Sequence, residues 1–99
     1  MALRVKVSAR AVSEIRRAAR WWSINRPAAP GAIRVEIAEA LRVLSTEPGV
    51  GSICTGTRVT DVRRLLMNRI RYFLYYRVHV ESLEVLAFWH MSRGKAPRI

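Results

Sequence analysis

The sequence predicts an α+β fold in which two helices pack on one face of a twisted antiparallel sheet. Between Arg63 and Arg93, aliphatic and aromatic residues that favour strands dominate the chain. Two breaks interrupt this run, near Asn68 and near Glu81, and they predict three consecutive strands joined by tight turns. Apolar residues recur at helical spacing between positions 9 and 46. An αα-hairpin followed by a three-stranded meander is therefore the expected architecture.

The first elements are a short strand and a helix. Leu3 to Val7 alternates apolar and basic residues, which predicts a strand with Leu3, Val5 and Val7 facing inward. Ser8 is a suitable N-cap for a helix from about Ala9 to Ile24. Its predicted buried stripe consists of Val12, Ile15, Ala19 and Trp22. We expect this helix to end before Pro27, because the residue that precedes a proline avoids the α region.

A second helix is expected to start between Pro27 and Gly31 and to run to about Thr46. Its apolar positions at helical spacing are Ile33, Ile37, Ala40, Leu41 and Leu44. Glu47-Pro48-Gly49 ends it. The stretch from Val50 to Thr60 lacks the pattern of a nucleotide-binding loop, so it is interpreted as a connection between helix and sheet.

The meander is predicted to consist of strands at about Val62–Leu66, Ile70–Val80 and Leu83–His90. In the middle strand, alternation assigns one set of side chains to the core: Ile70, Tyr72, Leu74, Tyr76 and Val78. The opposite set is aromatic and basic: Arg71, Phe73, Tyr75, Arg77 and His79. In the last strand, strict alternation groups Leu83, Val85, Ala87 and Trp89 on one side. The tail from Met91 to Ile99 is expected to lie over the sheet edge or to be loose.

Length and charge indicate one basic domain. Ninety-nine residues suit a single domain, here residues 1–99. Eighteen Lys and Arg against seven acidic residues give a net charge of +11, spread over both halves of the chain. Such a protein is expected to attract a polyanion or an acidic protein. Because sixteen of the cations are arginines, an Arg-rich proteome with a merely solvated surface is the alternative explanation.

Several classes of protein are disfavoured by the sequence. The single Cys54 excludes an internal disulfide framework and fits a reducing cytoplasm. The sequence has no apolar run near about 18 residues, so no membrane span is expected. The two histidines and Cys54 lack metal-ligand spacing, so we expect neither a metal nor a cofactor. Paired carboxylates for hydrolysis are also scarce.

Arginines, aromatic rings and histidine remain, and these groups suit phosphodiester chemistry without a metal. Guanidinium groups bind phosphate and stabilise developing negative charge, and histidine transfers protons near neutral pH. The candidate catalytic residues on or beside the sheet are Arg71, Arg77, His90 and Arg93. The alternative is structural, because strand arginines often serve only to protect sheet edges.

Two segments resemble the RelE/ParE superfamily, the toxins of bacterial type II toxin–antitoxin pairs. They are RYFLYYRV at 71–78 and EVLAFWHMSR at 84–93. The resemblance covers nearly the whole chain and implies a helical hairpin on an antiparallel sheet. It also implies a cytoplasmic, growth-arresting toxin that a cognate antitoxin neutralises in a hetero-oligomer.

The superfamily divides into two activities. RelE-like members cut messenger RNA on the ribosome, whereas ParE-like members inhibit DNA gyrase and are not nucleases. Phe73, not Arg, follows Tyr72; the preceding strand has no Lys; and no Tyr follows Arg93. These departures from the RelE pattern favour a ParE-like gyrase inhibitor. The alternative is a RelE-like endoribonuclease that uses Arg71, Arg77, His90 and Arg93. A nontoxic nucleic-acid-binding module is disfavoured, because no recognition motif is visible.

The aromatic and basic face of the middle strand, together with the basic tail, is the expected contact surface for a partner. The residues assigned to this role are Phe73, Tyr75, Arg93, Lys95 and Arg98.

Overall fold

The computed structural model describes residues 3–99, which form two helices on one face of a five-stranded sheet. The elements in chain order are β1 (Arg4–Val7), α1 (Ala9–Asn25), α2 (Ala32–Thr46), a 3-10 helix (Pro48–Val50), β2 (Ser52–Ile53), β3 (Val62–Met67), β4 (Tyr72–Val78) and β5 (Ser82–His90). The strand order is β1-β5-β4-β3-β2. The predicted hairpin and meander are confirmed. In addition, β1 pairs with β5 in parallel, which makes the sheet mixed.

Helix α1 begins and ends where the sequence predicts. The Ser8 hydroxyl accepts a hydrogen bond from the Ala11 amide at 3.1 Å, and the helix ends at Asn25, two residues before Pro27. Of the predicted stripe, Ile15, Ala19 and Trp22 pack partly buried against the core. The fully buried residues are Ala11 and Ala18, so the buried position in the first turn is Ala11 and not the predicted Val12. The small alanines allow close approach of α1 to β5.

Helix α2 and the core strands behave as their patterns predict. Ile33, Ala40 and Leu44 are buried, and Ile37 and Leu41 pack partly buried beside them. On the sheet side, the core residues include Leu74, Tyr76, Leu83 and Val85. Each fully buried leucine contributes on the order of 1.5–3 kcal/mol through removal of apolar surface from water.

The apolar side chains of the first strand face the core as predicted, but two of them are only partly covered. Val5 and Val7 are paired with the buried Leu83 and Val85 and so lie on the same face of the sheet, and Leu3 packs against the core. Val5 and Val7 are nevertheless 39% and 38% exposed, because β1 lies at the edge of the sheet.

A bulge in β5 makes the strict alternation predicted for that strand wrong. Tyr75 is paired with Ala87 but Tyr76 with Val85, so Leu86 is an extra residue on β5. Leu83, Val85 and Phe88 therefore lie in the core under the helices, while Ala87 and Trp89 lie on the opposite face. In β4, which has no extra residue, the predicted alternation holds: Leu74 and Tyr76 face the helices, and Phe73 and Tyr75 face away.

Beyond the reach of β1, polar side chains satisfy the open edge of β5. The Ser8 hydroxyl donates to the Leu86 carbonyl at 3.2 Å, and the Phe88 amide donates to the Glu14 carboxylate at 2.9 Å. Because these side chains use backbone groups that an added strand would need, they protect the edge from pairing.

The C-terminal tail lies across the sheet face that the helices leave open, which is neither of the predicted placements. The Ile99 carbonyl accepts the Arg58 amide at 2.7 Å, and the Trp89 indole donates to the Lys95 carbonyl at 2.9 Å. The tail covers a second apolar cluster built on Val62, Tyr75 and Ala87, to which Ile99 itself contributes. A tail rich in charge is therefore held by backbone groups and apolar contacts.

The segment after α2 contains more regular structure than the sequence predicts, because the Tyr76 hydroxyl makes hydrogen bonds to it at two places. The Tyr76 hydroxyl donates to the Pro48 carbonyl at 2.7 Å and accepts the Gly51 amide at 2.9 Å. The Arg63 guanidinium donates to the Gly51 carbonyl at 2.7 Å. These contacts hold the 3-10 helix at the end of α2 and the short strand β2, which lies in the segment interpreted as a connection between helix and sheet.

Burial makes the stability of this protein sensitive to alkaline pH. Burial raises the pKa of the Tyr76 hydroxyl, and the Gly51 hydrogen bond and Arg63 oppose this rise only in part. A raised pKa in the folded state gives stability that is complete below the unfolded value of about 10 and is lost as the pH rises through the folded value. We therefore expect the free energy of unfolding, measured by urea titration, to fall above about pH 10. The fall should be shallower in Tyr76→Phe; an equal slope in both proteins would contradict this assignment.

Candidate functional site

The structure brings together three of the four predicted catalytic residues. Arg71, His90 and Arg93 lie at the end of the sheet where β4 begins and β5 ends: the Met91 amide donates to the Arg71 carbonyl at 2.9 Å, and the Arg93 amide to the His90 carbonyl at 3.2 Å. Arg77 lies near the other end of β4, opposite Val62. Arg77 lies five positions beyond Tyr72 along the strand, which corresponds to roughly 17 Å. The four residues therefore do not form one site.

A cleft of about 430 Å³ opens beside this cluster, between the end of α1 and the β3–β4 turn. We call it the Trp–Arg cleft; it is lined by Trp21, Trp22, Arg26, Arg69, Ile70, Arg71, Tyr72 and His90. The lining contains three guanidinium groups and no carboxylate. A smaller cleft of about 160 Å³ shares Trp21, Tyr72 and His90 with it and adds Arg17, Arg93 and Glu14. Five arginines thus surround one group of aromatic rings.

Sequence reasoning found Arg71 and His90 but missed the contribution of α1 to this cleft. The available signal was the Trp21-Trp22 pair: adjacent helical residues cannot both face the core, so one large ring had to lie toward solvent. Trp21 is 49% exposed, and the Arg26 guanidinium lies 5.9 Å from the ring centres of both tryptophans. Arg69 was missed because only the turn conformation directs it here.

The backbone of Arg71 is held in an unfavourable conformation. Its φ of 63° is in the left-handed region, where glycine and asparagine are favoured. Two hydrogen bonds hold it there, from its own amide to the Met67 carbonyl and to its carbonyl from the Met91 amide, both at 2.9 Å. Strain of this kind is typical of functional positions, where a side chain is needed despite the cost.

Replacing Arg71 with glycine is expected to stabilise the fold. A left-handed backbone conformation costs a residue with a side chain about 1 kcal/mol or more, and glycine avoids this cost. Part of the gain is offset, because glycine also gives the unfolded chain more conformational entropy. We expect a net gain of roughly 0.5 kcal/mol in the free energy of unfolding by urea titration. Arg69→Gly changes the same turn at a residue without positive φ and should not stabilise. If Arg71→Gly instead lowers the free energy of unfolding, the contacts of the arginine side chain stabilise the fold by more than the strain of its backbone destabilises it.

Tyr72 and His90 form the wall between the two clefts. The Tyr72 ring stacks on Phe88 with centres 4.4 Å apart, and His90 meets it edge-on at 4.8 Å. Burial raises the pKa of the Tyr72 hydroxyl, although Arg93 opposes this, so the hydroxyl stays protonated at neutral pH. The Ser92 amide donates to His90 Nδ1 at 3.1 Å, which leaves the proton of the neutral ring on Nε2. The pair can donate hydrogen bonds to an anion.

The predicted partner-binding residues fall into two groups. Tyr75 is only 3% exposed, and Phe73 lies beside it under the Arg64 guanidinium, which is 4.2 Å from the ring centre. Both belong to the apolar cluster that the tail covers. Arg93, Lys95 and Arg98 are exposed, and Arg93 lies 3.9 Å above the Trp89 ring. Their role in partner binding stays a prediction.

Two other chemistries receive no support within residues 3–99. No group of three His, Cys, Asp or Glu side chains in this part of the chain could hold a metal ion. Burial raises the pKa of the Cys54 thiol, with Arg64 opposing it, so this thiol is a weak nucleophile at neutral pH. None of the helices in the described chain is long and apolar enough to cross a membrane.

The fold resembles that of a solved structure. It matches, with a TM-score of 0.72, a solved chain described as a chromosomal ParDE toxin–antitoxin system from P. aeruginosa, with 18% identity over 91% of this chain and 97% of that one. The family model described as the ParE toxin of the type II toxin–antitoxin system parDE matches residues 5–94, and the chain therefore belongs to the ParE toxin family. No curated protein matches the chain. The predicted resemblance is confirmed, including its ParE branch.

Proposed function

We propose that this protein arrests growth by inhibiting DNA gyrase and that a cognate antitoxin neutralises it in a hetero-oligomer. The observation that carries the proposal is the family match over residues 5–94. Because gyrase acts on the chromosome, the proposed site of action is the cytoplasm. The charge of +11 supports an acidic partner, since opposite charges speed and orient association.

The distribution of basic residues also supports binding more than catalysis. The candidate catalytic set is divided, with Arg77 near the far end of β4 from His90. Proton transfer by His90 is limited to Nε2, because Nδ1 is occupied by Ser92. A ribonuclease would need a base and an acid on opposite sides of the reacting phosphate.

A RelE-like endoribonuclease is the second candidate. One observation favours it: Arg71, His90 and Arg93 lie around a shared aromatic wall, where phosphate and base could bind together. In that case the enzyme would use these three residues without Arg77.

Two parallel assays test the proposal. The purified protein is added to a gyrase supercoiling reaction and, separately, to programmed ribosomes with messenger RNA. We expect supercoiling to stop while the message stays intact, and supercoiling to return when the protein encoded by the neighbouring gene is added. Cleaved message with unaffected gyrase would overturn the proposal in favour of the ribonuclease.

A further inference from the structure

We propose that the Trp–Arg cleft is the docking site for an acidic segment of the antitoxin, one that inserts an apolar side chain between flanking carboxylates. This inference deepens the proposed function and rests on it, because it takes the antitoxin as the occupant. Its basis is a combination of unpaired charge, exposed apolar surface and an unsatisfied donor in a single cleft.

The guanidinium groups of the cleft are available to an incoming carboxylate. Within residues 3–99, the Arg26 guanidinium has no ion pair or side-chain hydrogen bond and lies 5.9 Å from the centres of both tryptophan rings. In the same residues, the one side-chain hydrogen bond of Arg71 is a 3.9 Å contact with the Met91 sulfur. Arg69 is 3.8 Å from Glu36, but its side chain is 85% exposed, so this pair is weak. With three cations and no carboxylate in the lining, an anionic ligand has a clear electrostatic advantage.

The apolar part of the cleft indicates a peptide in preference to a nucleic acid. Trp21, which lines the cleft, is 49% exposed. Ile24, one turn further along α1, is 71% exposed, and Met91, the residue after His90, is 39% exposed. These side chains extend the apolar surface beyond the rings on which a base could stack. Aliphatic and sulfur-containing side chains gain from burial under another apolar side chain, whereas a sugar–phosphate chain offers them little.

A hydrogen-bond donor without a partner lies on one of the rings that line the cleft. The Trp22 indole nitrogen is buried and has no partner within residues 3–99. A buried N–H group without an acceptor costs about 1–3 kcal/mol. Because the nitrogen is buried, an oxygen atom of the docked segment accepts from it only if the ring or a neighbouring side chain moves on binding.

The strained backbone of Arg71 is the fourth observation. In a turn that glycine would fit better, the chain keeps a long cationic side chain at φ 63° beside the cleft. The strained backbone therefore places the Arg71 guanidinium at the rim of the cleft. No ion pair of Arg71 within residues 3–99 offsets the free-energy cost of that strain.

The test is calorimetric titration of the 99-residue toxin with its cognate antitoxin. Two variants change the cleft, Arg71→Gln and Trp21→Ala, and Arg58→Gln is the charge-matched control, because Arg58 lies near the opposite end of β3. We expect each cleft variant to weaken binding by at least about 10-fold and the control to change it by less than about 2-fold. Circular dichroism confirms that each variant is folded. As a direct readout, the Trp22 indole N–H resonance, assigned with Trp22→Phe, should shift on binding.

Each outcome is decisive. Unchanged affinity in both cleft variants, or an unmoved Trp22 resonance, would overturn the proposed docking site. If the cleft variants instead lose binding to a twelve-residue thymidine oligonucleotide while antitoxin affinity is retained, the cleft is a nucleic-acid site and the proposal is wrong. A wild-type toxin that does not bind the antitoxin at all would overturn the proposed function itself, which distinguishes that failure from failure of the cleft alone.

Discussion

Tyr76→Phe is expected to lower the free energy of unfolding by about 2 to 3 kcal/mol. The change removes one oxygen atom that donates to the Pro48 carbonyl at 2.7 Å and accepts the Gly51 amide at 2.9 Å. Gly51 is buried, so its N–H group would lose its partner without gaining water. For a domain of this size, the melting temperature should fall by roughly 8–24 °C. Urea titration and thermal melts measure the two quantities.

The neighbouring tyrosine supplies the matched control. Tyr75 is as well buried as a core residue, but its hydroxyl has only a 3.4 Å contact with Arg64. Tyr75→Phe should therefore cost less than about 0.5 kcal/mol. Similar losses in both variants would mean that the loss of any buried tyrosine hydroxyl, and not of the two hydrogen bonds to the loop, accounts for the effect.

Gly51→Ala should destabilise the fold by about 1 to 3 kcal/mol. A Cβ at this position would lie 2.8 Å from the Arg64 carbonyl oxygen and 2.8 Å from Cε1 of Tyr76. Because the carbonyl belongs to the backbone of β3, it cannot rotate away, and either the loop or the strand must shift. Glycine is required here for close approach, since the backbone of Gly51 is not in the left-handed region.

Gly49→Ala is the control for this prediction. Gly49 lies two residues earlier in the same loop, and a Cβ there meets nothing within 4 Å. Its effect on the free energy of unfolding should stay within about 0.5 kcal/mol. The double variant Gly51→Ala/Tyr76→Phe should lose less than the sum of the single losses, because both changes disrupt the same contact. If the losses are additive instead, the steric need for glycine at position 51 is independent of the hydrogen bond between the Gly51 amide and the Tyr76 hydroxyl.

The elements of the fold could be predicted because each depends on local pattern. Helical spacing placed α2 and its buried residues, and alternation placed the two faces of β4 correctly. The prediction for β5 failed after Val85, because a single extra residue, Leu86, reverses every later side chain. Nothing in a run of apolar residues on both faces marks where such a bulge occurs.

The candidate functional site, too, was predicted only in part from the sequence. The Arg71 and His90 side chains were identified as chemistry-bearing residues, and the structure places them in one cleft. Arg77 was grouped with them because it lies on the same sheet, yet the length of β4 separates it from them. Trp21, Trp22 and Arg26 come from a helix nearly fifty residues earlier, and local spacing carries no information about that proximity.

Composition and periodicity therefore predicted a basic α+β domain, with arginines and aromatic rings where function was to be sought. The ParE type came from the resemblance of the segments at 71–78 and 84–93, and the family match confirms it. Tertiary packing decided which of those groups meet. The C-terminal tail covers the apolar cluster that contains Phe73 and Tyr75. The Gly51 amide donates a hydrogen bond to the Tyr76 hydroxyl, and the end of α1 lies beside the β3–β4 turn. The physical reason is that patterns report which face of an element is buried, whereas a binding cleft depends on distances between elements that are far apart in the chain.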